Sequence, residues 1–182
     1  EYEVTGYGFS GNAAKDGIEA ELVYVDSFDE INLRSVKGKI VLFSGGINAD
    51  GFEKLIKAGA LALVGMAGDF RDKKGSYDLD ERMLRPSMTE KGVLPAVCVH
   101  INDAKSMIEK GAKIVRLTLE QEEGEADSRN VIAEIKGTEF PDEVIVYTAH
   151  YDSVPFSHGM FDNGTGTVTI LEIYRHFMKN PP

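Results

Sequence analysis

Apolar and polar positions alternate over Ala20-Glu-Leu-Val-Tyr-Val25, the two-residue period of a strand. Lys39-Ile-Val-Leu-Phe43 is a short apolar run bounded by Gly38 and Gly45-Gly46, and it also predicts a strand. The period then changes. Phe52, Leu55, Ile56 and Ala60 fall at helical spacing, Gly59 stands near the stop, and Asp50 with Glu53 predicts a capping box. Ala60-Leu-Ala-Leu-Val-Gly-Met66 returns as a strand, so this strand–helix–strand unit predicts local parallel pairing. Residues 1–17, rich in glycine and polar residues, predict a loop or an edge strand.

Residues 68–92 are charged and irregular, with Arg71-Asp-Lys-Lys-Gly75 and Arg85-Pro86, and predict a solvated excursion. Leu94 to Val99 predicts a strand, Asn102 or Asp103 a cap for a helix through Lys110, and Gly111 its end. Ile114 to Leu119 alternates again. The acidic run Glu120 to Asp127 reads as a solvated linker, with nothing to fix it as a carboxylate cluster. The expected domains are therefore 1–127, with a core over about 15–122, and 128–182. In the second, Asn130–Ile135 and Val144–Ala149 predict a hairpin joined by a Gly- and Pro-containing loop. Thr167 to Met178 carries Val168, Leu171, Tyr174 and Phe177 as an amphipathic stripe, and Asn180-Pro181-Pro182 terminates that helix.

Composition narrows the function classes. The 182 residues are 42% hydrophobic, enough for a packed core, and the formal net charge of −10 argues against nucleic acid and anionic lipid as partners. Cys98 stands alone in an apolar run, which rules out an internal disulfide and reads as a small core residue. No apolar run reaches the ~18–20 residues of a membrane span. The chain opens on Glu1-Tyr2-Glu3 without a leader; a leader already removed would put the protein outside the cell or at its surface, so the compartment stays open, the cytoplasm included.

Candidate chemistry gathers near the end of the chain. His150 closes the buried-strand pattern, Asp152 follows two residues later on the same side if the chain stays extended, and Asp162 precedes Asn163-Gly-Thr-Gly166. Imidazole and carboxylate are ligand types for zinc, and a carboxylate beside a ligating histidine can hold its other ring N–H. Each also has an ordinary reading: His150 as a hydrogen-bonded structural histidine, Asp162 as the N-cap of the next helix. His158 is near enough in sequence to be recruited but reads as a surface histidine. His100 ends an earlier strand, and His176 suits the last turns of a helix.

Three stretches carry a more specific likeness. Ser128-Arg-Asn-Val-Ile-Ala-Glu-Ile-Lys-Gly137, Thr148-Ala-His150-Tyr-Asp152-Ser-Val and Gly159-Met-Phe-Asp162-Asn-Gly-Thr-Gly166 resemble the start of the catalytic domain in zinc aminopeptidases of metallopeptidase family 28. The preceding region resembles a protease-associated domain, through Ser35-Val-Lys-Gly-Lys-Ile-Val-Leu-Phe, Phe52-Glu-Lys-Leu-Ile-Lys-Ala-Gly-Ala and Leu94-Pro-Ala-Val. The resemblance implies an α/β (α+β) fold: a β-rich protease-associated domain with flanking helices, then a hairpin and helix from an incomplete zinc-peptidase domain. It implies that His150 ligates one zinc, that Asp162 bridges two, that Asp152 orients His150, and that the Asp162–Asn163 peptide is cis. The family's adjacent Glu–Glu pair and its later Asp and His ligands have no counterpart here, and Glu122-Glu123 lies upstream.

The expectation is thus a fragment of a zinc-dependent aminopeptidase, acting on peptides with two zincs in the longer protein and inactive by itself. It could associate with itself through the truncated catalytic part. Two other functions fit the same residues: a non-enzymatic protease-associated binding or lid module, and a related co-catalytic zinc carboxypeptidase or amidohydrolase.

Overall fold

A computed structural model describes residues 1–73, 79, 82–154 and 157–181. Part of the excursion expected over 68–92 lies outside the described residues. The chain divides into two compact units, Glu1–Gly124 and Glu125–Pro182.

The first unit is built on a seven-stranded mixed sheet. Its strands are β1 (Val4–Gly8), β2 (Ile18–Val25), β3 (Ile40–Phe43), β4 (Ala62–Ala67), β5 (Arg82–Met83), β6 (Ala96–His100) and β7 (Ile114–Leu117). The order across the sheet is β5-β1-β6-β4-β3-β2-β7. The centre is parallel: β2 with β3, β3 with β4, and β4 with β6. β1 runs antiparallel to β6, and β7 antiparallel to β2. The parallel pairing expected around the first strand–helix–strand unit is present, with Ile40 opposite Ala62 and Phe43 opposite Gly65.

The central strands are continuous apolar runs because both of their faces are covered, as parallel strands require. Val41, Phe43, Leu63, Ala67, Ala96 and Cys98 turn to one face and meet Phe52 and Leu55 of helix α2 (Ala49–Ala58). Ile40, Leu42, Ala62, Val64, Val97 and Val99 turn to the other and meet Ala104 and Met107 of helix α4 (Ile101–Glu109). Two short helices, α1 (Glu30–Leu33) and α3 (Pro86–Thr89), complete the unit. Gly65 is a glycine in a buried strand for a steric reason. A methyl group there would lie 2.6 Å from the hydroxyl of Tyr7, which reaches across β6 from β1.

Several expectations change. Residues 1–17 hold a strand that is not at the edge: β1 is paired on both sides, so the packed unit begins before residue 15. Asn48, not Asp50, caps α2, accepting from the Gly51 amide at 2.8 Å, while Asp50 pairs with Lys54 in the first turn. His100, not Asn102 or Asp103, caps α4: its Nδ1 accepts from the Asn102 amide at 3.2 Å. The opposite ring nitrogen is 3.1 Å from Asp72 Oδ2, so this buried histidine joins the Gly68–Lys73 loop to the helix.

In the second unit, 130–135 and 144–149 form no strand ladder among the described residues. Val131-Ile132 and Val144-Ile145-Val146 are exposed runs of adjacent apolar residues that need cover on both faces. An isolated two-stranded hairpin lacks that cover and is marginal in water. Tyr151, after the second stretch, donates to the carbonyl of Arg129, ahead of the first, at 3.0 Å. Helix α5 (Thr165–Lys179) follows a wide turn over Met160–Gly164, in which Asp162 and Asn163 leave helical conformation.

Candidate metal centre

His150 lies at the end of the apolar 144–149 stretch, and Asp162 in the wide turn ahead of α5. The structure brings both, together with Asp152, to one place. Nε2 of His150 is 3.1 Å from Asp162 Oδ1. On the other side of the ring, Nδ1 is 3.1 Å from Asp152 Oδ1 and 3.2 Å from the Asp152 carbonyl oxygen. The Asp162–Asn163 peptide is cis, as the resemblance implies.

Both ring nitrogens face acceptors, and the proton affinity of the ring follows. The hydrogen bond to the Asp152 carbonyl raises the pKa of His150 above its ordinary value, helped by the Asp152 carboxylate and by the charges of Asp152 and Asp162 against desolvation. A proton on Nε2 therefore occupies the position between imidazole and carboxylate that a cation would take. Without that proton, the pair presents a nitrogen lone pair and a carboxylate oxygen to a common point. Two donors each ~2.0 Å from a tetrahedral ion lie about 3.3 Å apart, close to the 3.1 Å observed. The donor set fits zinc in kind and in spacing. It does not fit in number: among the described residues no group of three His, Cys, Asp or Glu side chains is arranged to hold a metal ion.

Asp162 does not serve as the N-cap of α5. Gly164 holds that position, and Asn163 just before it accepts from the Gly166 amide through its Oδ1 at 3.1 Å. Any side chain at Gly166 would collide with the Asn163 amide group, which explains the glycine. Sequence reasoning missed this role of Asn163, although an Asn three residues ahead of a helical amide is a capping pattern. It also missed Thr167, whose hydroxyl lies 3.2 Å from the carbonyl oxygens of both His150 and Asn163. The other histidines do not join the pair. His100 belongs to the first unit with Asp72, and His176 lies edge-on to Phe177 in the last turns of α5. His158 has neither a hydrogen bond nor an ion pair to His150 or Asp162 among the described residues. Cys98 is fully buried, as expected of a core residue.

Comparison with known proteins shows what the chain is similar to. Residues 130–182 match the family model of Peptidase family M28. Curated relatives include carboxypeptidase Q of Bos taurus, 30% identical over 182 residues, and of Mus musculus, 29% identical over 177. Each alignment covers 90% of this chain and 37% of the relative, so the chain spans little more than a third of their length. Among solved structures, BSAP, a zinc aminopeptidase from Bacillus subtilis, superposes with a TM-score of 0.65 at 24% identity, covering 97% of this chain and 41% of that one. That likeness shows the mixed α/β fold. No helix among the described residues is long and apolar enough to cross a membrane.

Proposed function

We propose that this chain is the front part of a zinc-dependent aminopeptidase and contributes His150 and Asp162 as ligands and Asp152 as the residue that orients His150. The observation that carries the reading is the 3.1 Å approach of His150 Nε2 to Asp162 Oδ1, with Asp152 behind the ring, inside the segment matching the peptidase family. Zinc bound there would supply Lewis acidity toward a peptide carbonyl and would acidify a water. The chain's own contribution is positional. Asp152 accepts the Nδ1 proton and so keeps the Nε2 lone pair turned outward. Asp162 has two carboxylate oxygens and can serve two ions at once. The water's proton needs another acceptor, which the resemblance assigns to a glutamate beyond residue 182. Residues 1–127 are read as a protease-associated domain, a lid or a protein-contact surface.

A chain extended through the corresponding downstream region provides the test. It should bind about two zincs, hydrolyse aminoacyl amides and lose activity to chelators. His150→Ala or Asp162→Ala should abolish turnover. Full activity in the Asp162→Ala variant would overturn the reading. The carboxypeptidase Q relatives, which match over most of this chain, support a second substrate class. Cleavage of N-acylated but not of free-amino substrates by the extended chain would favour it.

A further inference from the structure

Thr165, Thr167 and Thr169 all lie in the first turns of α5, and each hydroxyl reaches back four residues to a carbonyl: Phe161, Asn163 and Thr165 respectively. Such back-bonding is ordinary for threonine in a helix. Thr167 differs from the other two. Its Oγ1 is also 3.2 Å from the carbonyl oxygen of His150, seventeen positions earlier in the chain. The hydroxyl carries one hydrogen, so it shares that hydrogen between two carbonyls, one belonging to His150 and one to the residue after Asp162.

Resting on the proposed function, we propose that Thr167 is a positioning residue: its hydroxyl fastens the backbone of His150 to the backbone of Asn163 and thereby sets the distance between His150 Nε2 and Asp162 Oδ1. His150 and Asp162 are brought by separate segments, and both side chains are largely solvent-exposed, at 55% and 80%. Packing therefore does little to hold either. A bridge between two backbone carbonyls does not depend on the contact between the two side chains. Asn163 is fixed in turn through its side chain, which accepts from the Gly166 amide at 3.1 Å. Thr167 thus ties the histidine to a turn that is already anchored on the helix.

The experiment measures hydrogen exchange of the His150 ring N–H by NMR in the metal-free 182-residue chain. Thr167→Val keeps the shape and removes the hydroxyl, and Thr167→Ser keeps the hydroxyl. Thr169→Val removes a hydroxyl whose hydrogen bond stays within its own helix. Exchange should be about fivefold faster in Thr167→Val, the factor for one hydrogen bond of ~1 kcal/mol. It should be unchanged in Thr167→Ser and in Thr169→Val. Unchanged exchange in Thr167→Val would overturn the proposal. So would equal acceleration in Thr167→Ser, which keeps the hydroxyl, or in Thr169→Val, which would assign it to general fraying. If Thr167→Val does not fold, acceleration in Thr167→Ser still overturns the proposal and protection in it supports the proposal. The readout needs no metal, so an extended chain that neither binds zinc nor cleaves peptides would remove the proposed function and leave the Thr167 bridge standing.

Discussion

At the scale of single residues, the two histidines with carboxylate partners do different work, and burial separates them. His100 is 1% exposed and spends its Nδ1 on a helix amide and its Nε2 on Asp72. His150 is half exposed and has carboxylates on both sides. The three residues His150, Asp152 and Asp162 were legible as candidates from spacing, and their roles only from the resemblance. Asn163 and Thr167 were not, because their contacts depend on how the turn before α5 bends. Asp152→Asn in an extended, zinc-binding chain should weaken zinc affinity by 10–100-fold, the usual effect of losing such a partner, as measured by chelator competition. Gly68 is a second sensitive position. It has φ +85°, and a methyl group there would collide with the His100 ring. Gly68→Ala should destabilise the first unit by about 1–3 kcal/mol in urea unfolding.

Among the elements, the central strands buried on both faces and the helix packed on them were read with close boundaries. β3, α2, β4 and β6 each show an apolar pattern that their packing uses in full. Caps were read less well. Asp50, Asn102 and Asp103 are all chemically able to cap, and the choice falls to the residue just ahead of each helix that the backbone holds extended, Asn48 and His100. Asn48→Ala should therefore cost about 0.5–2 kcal/mol, whereas Asp50→Ala should change stability little, both followed by urea unfolding. The hairpin over 130–149 failed for a different reason: a strand pattern states what a segment could pair with, and strand pairing needs a partner. The stripe on α5 is in a similar position, with Val168 and Leu171 both 60% exposed. Exposed apolar faces seek cover, so sedimentation should show concentration-dependent association that Leu171→Glu reduces.

For the molecule as a whole, acid sensitivity is expected in the first unit. Hydrogen bonds from Arg71 hold the Asp69 carboxyl at about 2, below its ordinary 3.8. The Asp69 amide and His100 also lower Asp72. Folded-state values below unfolded ones contribute stability above the unfolded pKa, and that stability is lost as pH falls through the folded value. The unit should accordingly lose stability between about pH 4 and pH 2. Asp69→Asn should flatten that slope in a pH series of thermal unfolding. Elemental analysis of the 182-residue chain should find less than one zinc, since His150 and Asp162 are two donors where a tetrahedral ion takes four. Stoichiometric zinc would mean that a ligand lies among residues not assigned to the site.

The seat of the Tyr7 ring against Gly65 restricts the order in which the sequence can change over evolution. Alanine at 65 with tyrosine at 7 puts a methyl group 2.6 Å from the phenol oxygen, whereas the next ring atom is 3.4 Å away. Loss of the oxygen first, by Tyr7→Phe, opens a route to Gly65→Ala that is closed in the opposite order. The two substitutions should be strongly non-additive, with Gly65→Ala far less damaging in the phenylalanine background. Homologous chains should then carry alanine at this place only where the facing aromatic has already given up its hydroxyl or its ring.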